Sequence, residues 1–268
     1  MAARPVVEVR GLWKSFGDKE ALRGVDLKLH DGETLVVLGP SGCGKSVLLK
    51  HVIGLMEPDR GSIIVEGRDL SGLSQAELNE IRQKFGMVFQ GAALFDSMTV
   101  GDNVALPLRE HRGMKGERLS ALVEEKLELV GLKGISSLRP AELSGGMKKR
   151  VALARAIALD PDIILYDEPT TGLDPVMAEQ INELIRSTQR KLNASSIVVT
   201  HDLHSACFTG DMVALMDEGR IAFYGTTDEL TTTENEAVRN FIARGHPAAT
   251  GAPGGSGAGP ACADDPFA

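Results

Sequence analysis

The sequence predicts an α/β fold with a parallel β-sheet at its centre. Three short apolar runs, at 34–38, 162–166 and 196–200, lie between turn-forming residues, which is typical of strands buried on both faces of such a sheet. Hydrophobic residues make up 43% of the 268-residue chain, enough for a buried core. Helical periodicity fills the intervals between the runs, most clearly at 75–84, 117–131, 145–158 and 176–192.

Other strands and a helical region accompany this core. Residues 6–9 and 27–29 alternate apolar and polar side chains, and 61–67 is bounded by glycines, so we expect half-exposed strands there. Residues 91–158 are mostly helical and interrupt the strand series. The sequence therefore predicts a helical subdomain over about 91–158.

The end of the chain has a different composition. Residues 245–268 contain 6 Gly, 4 Pro and 7 Ala but few large apolar side chains, so burial cannot offset the entropy lost on ordering. We predict one domain over 1–244 and a flexible tail over 245–268. A tail that folds on a partner is the alternative.

The composition excludes several classes of function. The chain carries 37 acidic and 29 basic residues, a net charge of −8, whereas a protein that grips nucleic acid needs a basic surface. Its three cysteines form no C-x-x-C pair, which fits neither a disulfide framework nor a zinc site. No apolar run reaches the roughly 18 residues of a membrane span, and the first residues lack a secretory signal. We therefore expect a cytosolic chain with no nucleic-acid partner.

A glycine-rich loop follows the first buried strand. Residues 39–46 match G-x-x-x-x-G-K-[ST], between that strand and the helical run 47–53. Such a loop turns its backbone N–H groups and the positive end of the helix toward phosphate. Lys45 is expected to reach the β- and γ-phosphates, and Ser46 to ligate Mg²⁺. The candidate nucleotide-binding residues here are Gly39, Pro40, Ser41, Gly42, Cys43, Gly44, Lys45, Ser46 and Val47.

Two adjacent carboxylates follow the second buried strand. Asp167 and Glu168 come at its carboxyl end, the edge where α/β sheets bind ligands. Asp167 is suited to the Mg²⁺ shell, and Glu168 to polarising an attacking water.

Further motifs occur in a fixed order with these two. Gln90 ends the strand-like stretch 87–90, Leu143-Ser-Gly-Gly-Met147 opens a helix, Gly172-Leu-Asp-Pro175 follows the carboxylates, and His201 ends the strand 196–200. Over about residues 6–243 this order resembles the ATP-binding cassette (ABC) ATPases. The resemblance implies a P-loop NTPase with a RecA-like parallel-sheet core, an antiparallel β subdomain and a helical subdomain. It also implies ATP and Mg²⁺ as ligands.

The resemblance assigns roles around one nucleotide. Phe16 stands where the family stacks an aromatic ring on adenine. Trp13 is the alternative residue for this role, and the other alternative is that Phe16 is a buried core aromatic. Gln90 matches the residue that senses Mg²⁺ and the γ-phosphate and links them to the transport subunit. His201 matches the residue that contacts the γ-phosphate.

The resemblance also implies a homodimer. Ser144, Gly145 and Gly146 match the signature that meets ATP bound to the opposite subunit, and Asp174 matches the loop that communicates across the dimer. One chain has one P-loop and one signature, so a head-to-tail dimer with two ATP molecules completes both sites.

The stretch 89–111 points to a substrate class. It is similar to the ATPase subunit of Mla/MCE-type phospholipid transporters, as are Arg109-Glu-His111 and Met147. This likeness implies two integral-membrane permease subunits, a periplasmic MCE-domain lipid-binding protein, a possible STAS-like small subunit and phospholipid as substrate, at the cytoplasmic face of the inner membrane. Arg109-Glu-His111 as a solvated helix end is the structural alternative. A small polar solute (amino-acid) importer and a soluble switch ATPase are the alternative functions.

Overall fold

The computed structural model describes residues 4–245, which form two β-sheets surrounded by helices. The strands are β1 (Pro5–Phe16), β2 (Lys19–His30), β3 (Thr34–Leu38), β4 (Arg60–Val65), β5 (Arg68–Asp69), β6 (Phe85–Val88), β7 (Ile163–Asp167), β8 (Ser195–Thr200), β9 (Met212–Asp217) and β10 (Arg220–Thr226). The helices are α1 (Lys45–Val52), α2 (Gln75–Arg82), α3 (Val100–Arg112), α4 (Gly116–Leu129), α5 (Gly145–Ala156), α6 (Pro175–Leu192), α7 (Leu203–Thr209), α8 (Thr227–Thr232) and α9 (Glu236–Gly245). All but the first residue of the predicted tail lies outside the described residues.

The six-stranded sheet confirms the predicted α/β core. Its strand order is β10-β9-β3-β8-β7-β6, in which all neighbours are parallel except the antiparallel pair β9 and β10. Every residue of β3, β7 and β8 is buried, which explains their continuous apolar sequences. Since these strands run in parallel, the segments that follow β3, β7 and β8 meet at one edge of the sheet.

The second sheet is antiparallel, as the resemblance implies. Its order is β2-β1-β4-β5. The inward side chains of β1 and β2, among them Val9 and Leu29, share one apolar cluster with β3 and with Leu49 of α1. The small sheet therefore covers the helix that follows the P-loop and holds it against the large sheet.

The helices α3, α4 and α5 pack on one another and on the other face of the large sheet. The predicted helices 75–84, 117–131, 145–158 and 176–192 correspond to α2, α4, α5 and α6, with bounds that differ by at most two residues. No helix within residues 4–245 is long and apolar enough to span a bilayer.

Candidate functional site

A cavity of about 490 Å³ opens over the P-loop, at the edge where β3, β7 and β8 end. Most of its lining residues were predicted from the sequence; Lys19, Ala21 and Thr171 were not. It is lined by Phe16, Lys19, Ala21, Ser41, Gly42, Gly44, Lys45, Ser46, Val47, Gln90, Glu168, Thr171 and His201. The fold thus brings together residues that are up to 185 positions apart in the chain (201 − 16).

The P-loop is folded so tightly that side chains are excluded from two of its positions. A Cβ on Gly39 would lie 2.2 Å from the Met216 carbonyl oxygen, and a Cβ on Gly44 would lie 2.5 Å from the Ala21 carbonyl oxygen. Gly44 also has a φ of 112°, which other residues rarely adopt. Backbone approach, and not only flexibility, therefore requires glycine here.

Lys45 lies folded back on this loop. Its ammonium donates hydrogen bonds to the carbonyl oxygens of Gly39 (2.7 Å) and Pro40 (3.0 Å). It also lies 3.5 Å from Glu168 Oε1, and its side chain is only 5% exposed. A cation with three donors at the floor of the cavity suits the binding of phosphate oxygens.

Ser46 and Asp167 form a pair of oxygen ligands. The Ser46 hydroxyl donates to Asp167 Oδ1 at 2.8 Å. Burial raises the pKa of Asp167, while the Ser46 hydrogen bond acts against that shift. Neighbouring hydroxyl and carboxylate oxygens are the ligands that Mg²⁺ takes in nucleotide sites, so the donor set fits this ion.

Glu168 is held by groups from several elements. Its Oε2 accepts a hydrogen bond from Thr171 Oγ1 (2.9 Å) and lies 2.7 Å from His201 Nδ1. Its own N–H donates to the Val199 carbonyl oxygen at 2.9 Å, and its φ is 49°, an uncommon left-handed conformation for glutamate. Glu168 is 8% exposed, so its carboxylate has a fixed position in the cavity.

Phe16 and Trp13, the two rival aromatics, lie in different surroundings. Phe16 is 47% exposed and lines the cavity, whereas Trp13 packs against Gly24 and is not among the lining residues of this cavity in the described chain. Phe16 is therefore the candidate for base stacking. Gln90, also predicted, is exposed at the cavity's edge.

Some predicted residues lie beside the cavity. Within residues 4–245 the lining set does not include Asp167, which meets the site through its hydrogen bond with Ser46, nor the loop residues Gly39, Pro40 and Cys43. The Cys43 thiol belongs to the apolar cluster beneath the P-loop, and burial raises its pKa. The three loop residues therefore shape the P-loop from outside the cavity.

The signature residues are not brought to the chain's own P-loop. Ser144 caps α5 by accepting a hydrogen bond from the Met147 N–H at 3.2 Å, and Ser144 and Gly145 are exposed. Gly146 is buried against Met177, whose Cε would lie 2.1 Å from an added Cβ. Asp174 caps α6 in the same way, by accepting from the Met177 N–H at 3.0 Å. Within the described chain, none of these four residues lines the nucleotide cavity.

A second cavity lies behind the P-loop. It has a volume of about 380 Å³ and lies between α9, which contributes Ala237, Phe241 and Arg244, and a wall that includes Ser41 and His201. The end of the described chain is therefore close to the nucleotide site.

An open groove of about 720 Å³ lies between α2, β6, α3 and α5, and reaches Phe89, the chain neighbour of Gln90. Phe89 and Phe95 line it and are 36% and 48% exposed. His111 also lines it, while Arg109 forms an ion pair with Asp102 at 2.9 Å. Within this stretch, His111 therefore lines the groove, whereas Arg109 pairs with a residue of its own helix.

A P-loop beside two carboxylates, at the carboxyl edge of a parallel sheet, defines a P-loop nucleoside-triphosphatase. Comparison with known proteins narrows that class. A family model described as ABC transporter matches residues 22–171, more than half of the chain. The chain belongs to this family. It is an ABC ATPase, the ATP-binding component of this kind of transporter.

Curated relatives and solved structures agree with this family. A "Probable ribonucleotide transport ATP-binding protein mkl" from Mycobacterium tuberculosis is 46% identical over 236 residues, which are 88% of this chain and 66% of that protein. The "Intermembrane phospholipid transport system ATP-binding protein MlaF" of Haemophilus influenzae is 40% identical over 237 residues, 88% of this chain and 90% of that protein. A dimeric post-hydrolysis structure of the ATP-binding cassette MJ0796, bound to ADP and Pi, has a TM-score of 0.76 and 34% identity. It covers 82% of this chain and 98% of that one.

Proposed function

We propose that this chain powers the movement of phospholipid between two membranes as the ATPase subunit of an Mla/MCE-type transporter. The likeness to MlaF carries this proposal, because it extends over 90% of that relative's length. The mycobacterial relative is more identical but is matched over only 66% of its length, and its name mentions ribonucleotides. Ribonucleotide is therefore the substrate that the test must distinguish from phospholipid.

The proposed hydrolysis uses groups of the chain itself. Phe16 stacks on the base, and Lys45 turns from the Gly39 and Pro40 carbonyl oxygens to the terminal phosphates. Glu168 polarises the attacking water and accepts its proton, while His201, 2.7 Å from that carboxylate, contacts the γ-phosphate.

Ser46, Asp167 and Gln90 are the proposed holders of Mg²⁺, which neutralises charge on the phosphate oxygens when bound. Their support is the Ser46–Asp167 pair of oxygen donors and the position of Gln90 at the cavity's edge. Asp167 also fixes the orientation of the Ser46 hydroxyl, because it accepts that hydroxyl's hydrogen bond.

A head-to-tail homodimer completes the proposed site. Ser144 and Gly145 are exposed and lie outside their own chain's nucleotide cavity, so they are available to a second copy. The N–H groups at the start of α5 then bind the ATP held by the partner's P-loop. ATP would stabilise the closed dimer because it contacts both copies, and hydrolysis would release it.

The groove beside Gln90 is the proposed contact with the permease. It exposes Phe89 and Phe95 next to the residue that senses the nucleotide, so a permease segment seated there would respond to ATP. Two permease subunits, one for each copy, would hold the dimer at the cytoplasmic face of the inner membrane. A periplasmic MCE-domain protein and a STAS-like small subunit complete the proposed assembly.

Purification of the tagged full-length chain from its native membranes tests the function. We expect a permease and an MCE-domain protein to copurify, with phospholipid detected by mass spectrometry. Reconstituted in liposomes, the complex should move labelled phospholipid when ATP is added, and Glu168→Gln should abolish that movement.

Other outcomes would contradict the proposal. Stimulation of the ATPase by ribonucleotides, with no lipid movement, would instead support the function in the mycobacterial relative's name. Copurification with a periplasmic solute-binding protein would indicate a polar-solute importer. Recovery of soluble complexes alone would indicate a switch ATPase.

A further inference from the structure

Two basic side chains on α5 grip the loop that follows Gln90. Lys149 donates a hydrogen bond to the Gln90 carbonyl oxygen. Arg155, further along the helix, donates to the carbonyl oxygens of Ala92 (3.0 Å) and Ala93 (2.7 Å). Neither contact was predicted from the sequence.

The loop after Gln90 has a backbone conformation of high energy. Ala92 and Ala93 have φ angles of 62° and 49°, in the left-handed region that alanine seldom occupies. Consecutive left-handed residues need contacts from outside to keep them there. Within the described chain, the carbonyl oxygens of both alanines accept from Arg155, so α5 supplies such contacts.

Lys149 also reaches the opposite wall of the site. Its ammonium lies 3.4 Å from the Glu168 carbonyl oxygen, and the residue is only 8% exposed. Asp167 and Glu168 provide the negative charge that compensates this buried cation. One ammonium therefore joins the backbone at Gln90 to the backbone at Glu168.

Close packing makes α5 a rigid support for this link. The helix ends against β6, where a Cβ on Gly86 would lie 2.5 Å from the Ala156 carbonyl oxygen. The same helix begins at Gly145 and is capped by Ser144, both of them signature residues. The signature and the Lys149 contacts with Gln90 and Glu168 therefore lie on the same helix.

We propose that Lys149 is a positioning residue for ATP hydrolysis, which fixes the Gln90 and Glu168 backbones relative to each other and to the signature helix. Arg155, which binds the Ala92 and Ala93 carbonyl oxygens, is the second anchor, and we call Lys149 and Arg155 together the clamp. This inference rests on the hydrolytic roles proposed above for Gln90 and Glu168. Lys149 does not line the nucleotide cavity formed by the described residues, so it acts through these two and not on ATP.

The test is steady-state ATPase kinetics of the full-length protein carrying Lys149→Met. We expect kcat to fall by about tenfold to a hundredfold, because hydrogen bonds from a charged donor are lost next to the reacting groups. The Kd for a non-hydrolysable ATP analogue should stay within about threefold of the original value, since Lys45 and the P-loop are untouched. Lys149→Arg should recover part of the lost kcat by restoring a cationic donor.

Lys126→Met is the matched control. Lys126 is another buried lysine, 3% exposed, and forms an ion pair with Asp160 in the helical region. Its loss should lower stability comparably but leave kcat within about twofold. Hydrogen exchange of residues 85–95 should accelerate in Lys149→Met and not in Lys126→Met, because only Lys149 holds that loop.

The outcomes separate this inference from the proposed function. Unchanged kcat and unchanged exchange of residues 85–95 in Lys149→Met, with Glu168→Gln inactive, would overturn the positioning role alone. An active Glu168→Gln would instead overturn the role of Glu168, whatever Lys149 does. If Lys149→Met does not fold, Arg155→Met removes the second anchor instead, because Arg155 donates to the Ala92 and Ala93 carbonyl oxygens. Wild-type kcat and unchanged exchange of residues 85–95 in that variant would equally refute the clamp.

Discussion

Replacing Glu168 by glutamine removes a proton acceptor while keeping a side chain of the same size. The amide can keep partners at Thr171 and His201, which lie 2.9 and 2.7 Å from Oε2 in the original. The P-loop is unchanged, because Lys45 is held by backbone carbonyl oxygens as well as by this carboxylate. The substitution therefore isolates the chemical step from binding.

The expected loss follows from the role of a general base. Removal of such a base typically costs about 10²–10⁴-fold in rate. This range corresponds to about 2.7–5.4 kcal/mol in activation free energy, at 1.36 kcal/mol for each factor of ten. ATP affinity should be equal or higher, because the lost carboxylate no longer repels the γ-phosphate near Lys45.

The assay is phosphate release at saturating MgATP, with ATP affinity measured separately by equilibrium binding. Glu183→Gln, which changes an exposed acid on α6, is the control and should keep full activity. Turnover of Glu168→Gln within threefold of the original would refute the assignment of Glu168 as base. A loss of ATP binding in parallel with kcat would show that the variant instead disrupts the phosphate-binding site at the P-loop.

Three further predictions concern Ser144, Cys43 and His51. Ser144→Phe should abolish ATP-dependent dimerisation in sedimentation experiments, since a bulky side chain would occupy the exposed start of α5. Iodoacetamide should modify Cys43 slowly at pH 7, as followed by mass spectrometry, because the thiol is 8% exposed and burial raises its pKa. Burial lowers the pKa of His51, so below about pH 6.5 the unfolded chain binds a proton that the folded chain resists, and stability falls as the pH drops. His51→Gln should flatten this pH dependence in denaturant unfolding between pH 5 and 8.

Each of these predictions has a control. Ser144→Ala removes the helix cap without adding bulk, so dimerisation retained in Ser144→Ala and lost in Ser144→Phe would support a close interface; dimers in both would contradict it. Alkylation of Cys43 at the rate of free cysteine would show that the thiol is not buried in solution. An unchanged pH slope in His51→Gln would assign the acid sensitivity to other groups.

The P-loop part of the nucleotide cavity was predictable because its components are local in sequence. A P-loop needs a strand, glycines, Lys45 and a helix in immediate succession, and all of them lie within about 20 residues. The buried strands could be predicted from the sequence because their pattern is also local. With both faces covered, they carry apolar residues at every position, which few other structures require.

The contacts of Lys149 and Thr171 could not be predicted in this way. Lys149 meets a carbonyl oxygen 59 residues earlier in the chain, and its partners are backbone groups that carry no side-chain signal. A lysine on a helix is ordinarily solvated, so its burial depends on how α5 packs against β6. Thr171 joins the cavity through the turn after β7, a geometry that the sequence does not specify.

The cavity behind the P-loop has a practical consequence for anyone who labels this protein. Because α9 contributes Phe241 and Arg244 to a wall shared with Ser41 and His201, anything fused directly after α9 begins beside the ATPase centre. Val6, near the start of β1, instead shares a pocket with Asp162 and Ile163, at the opposite end of the parallel strands. Purification handles and fluorophores for activity measurements therefore belong at the amino terminus. A dye attached to α9 would serve as a reporter of nucleotide occupancy.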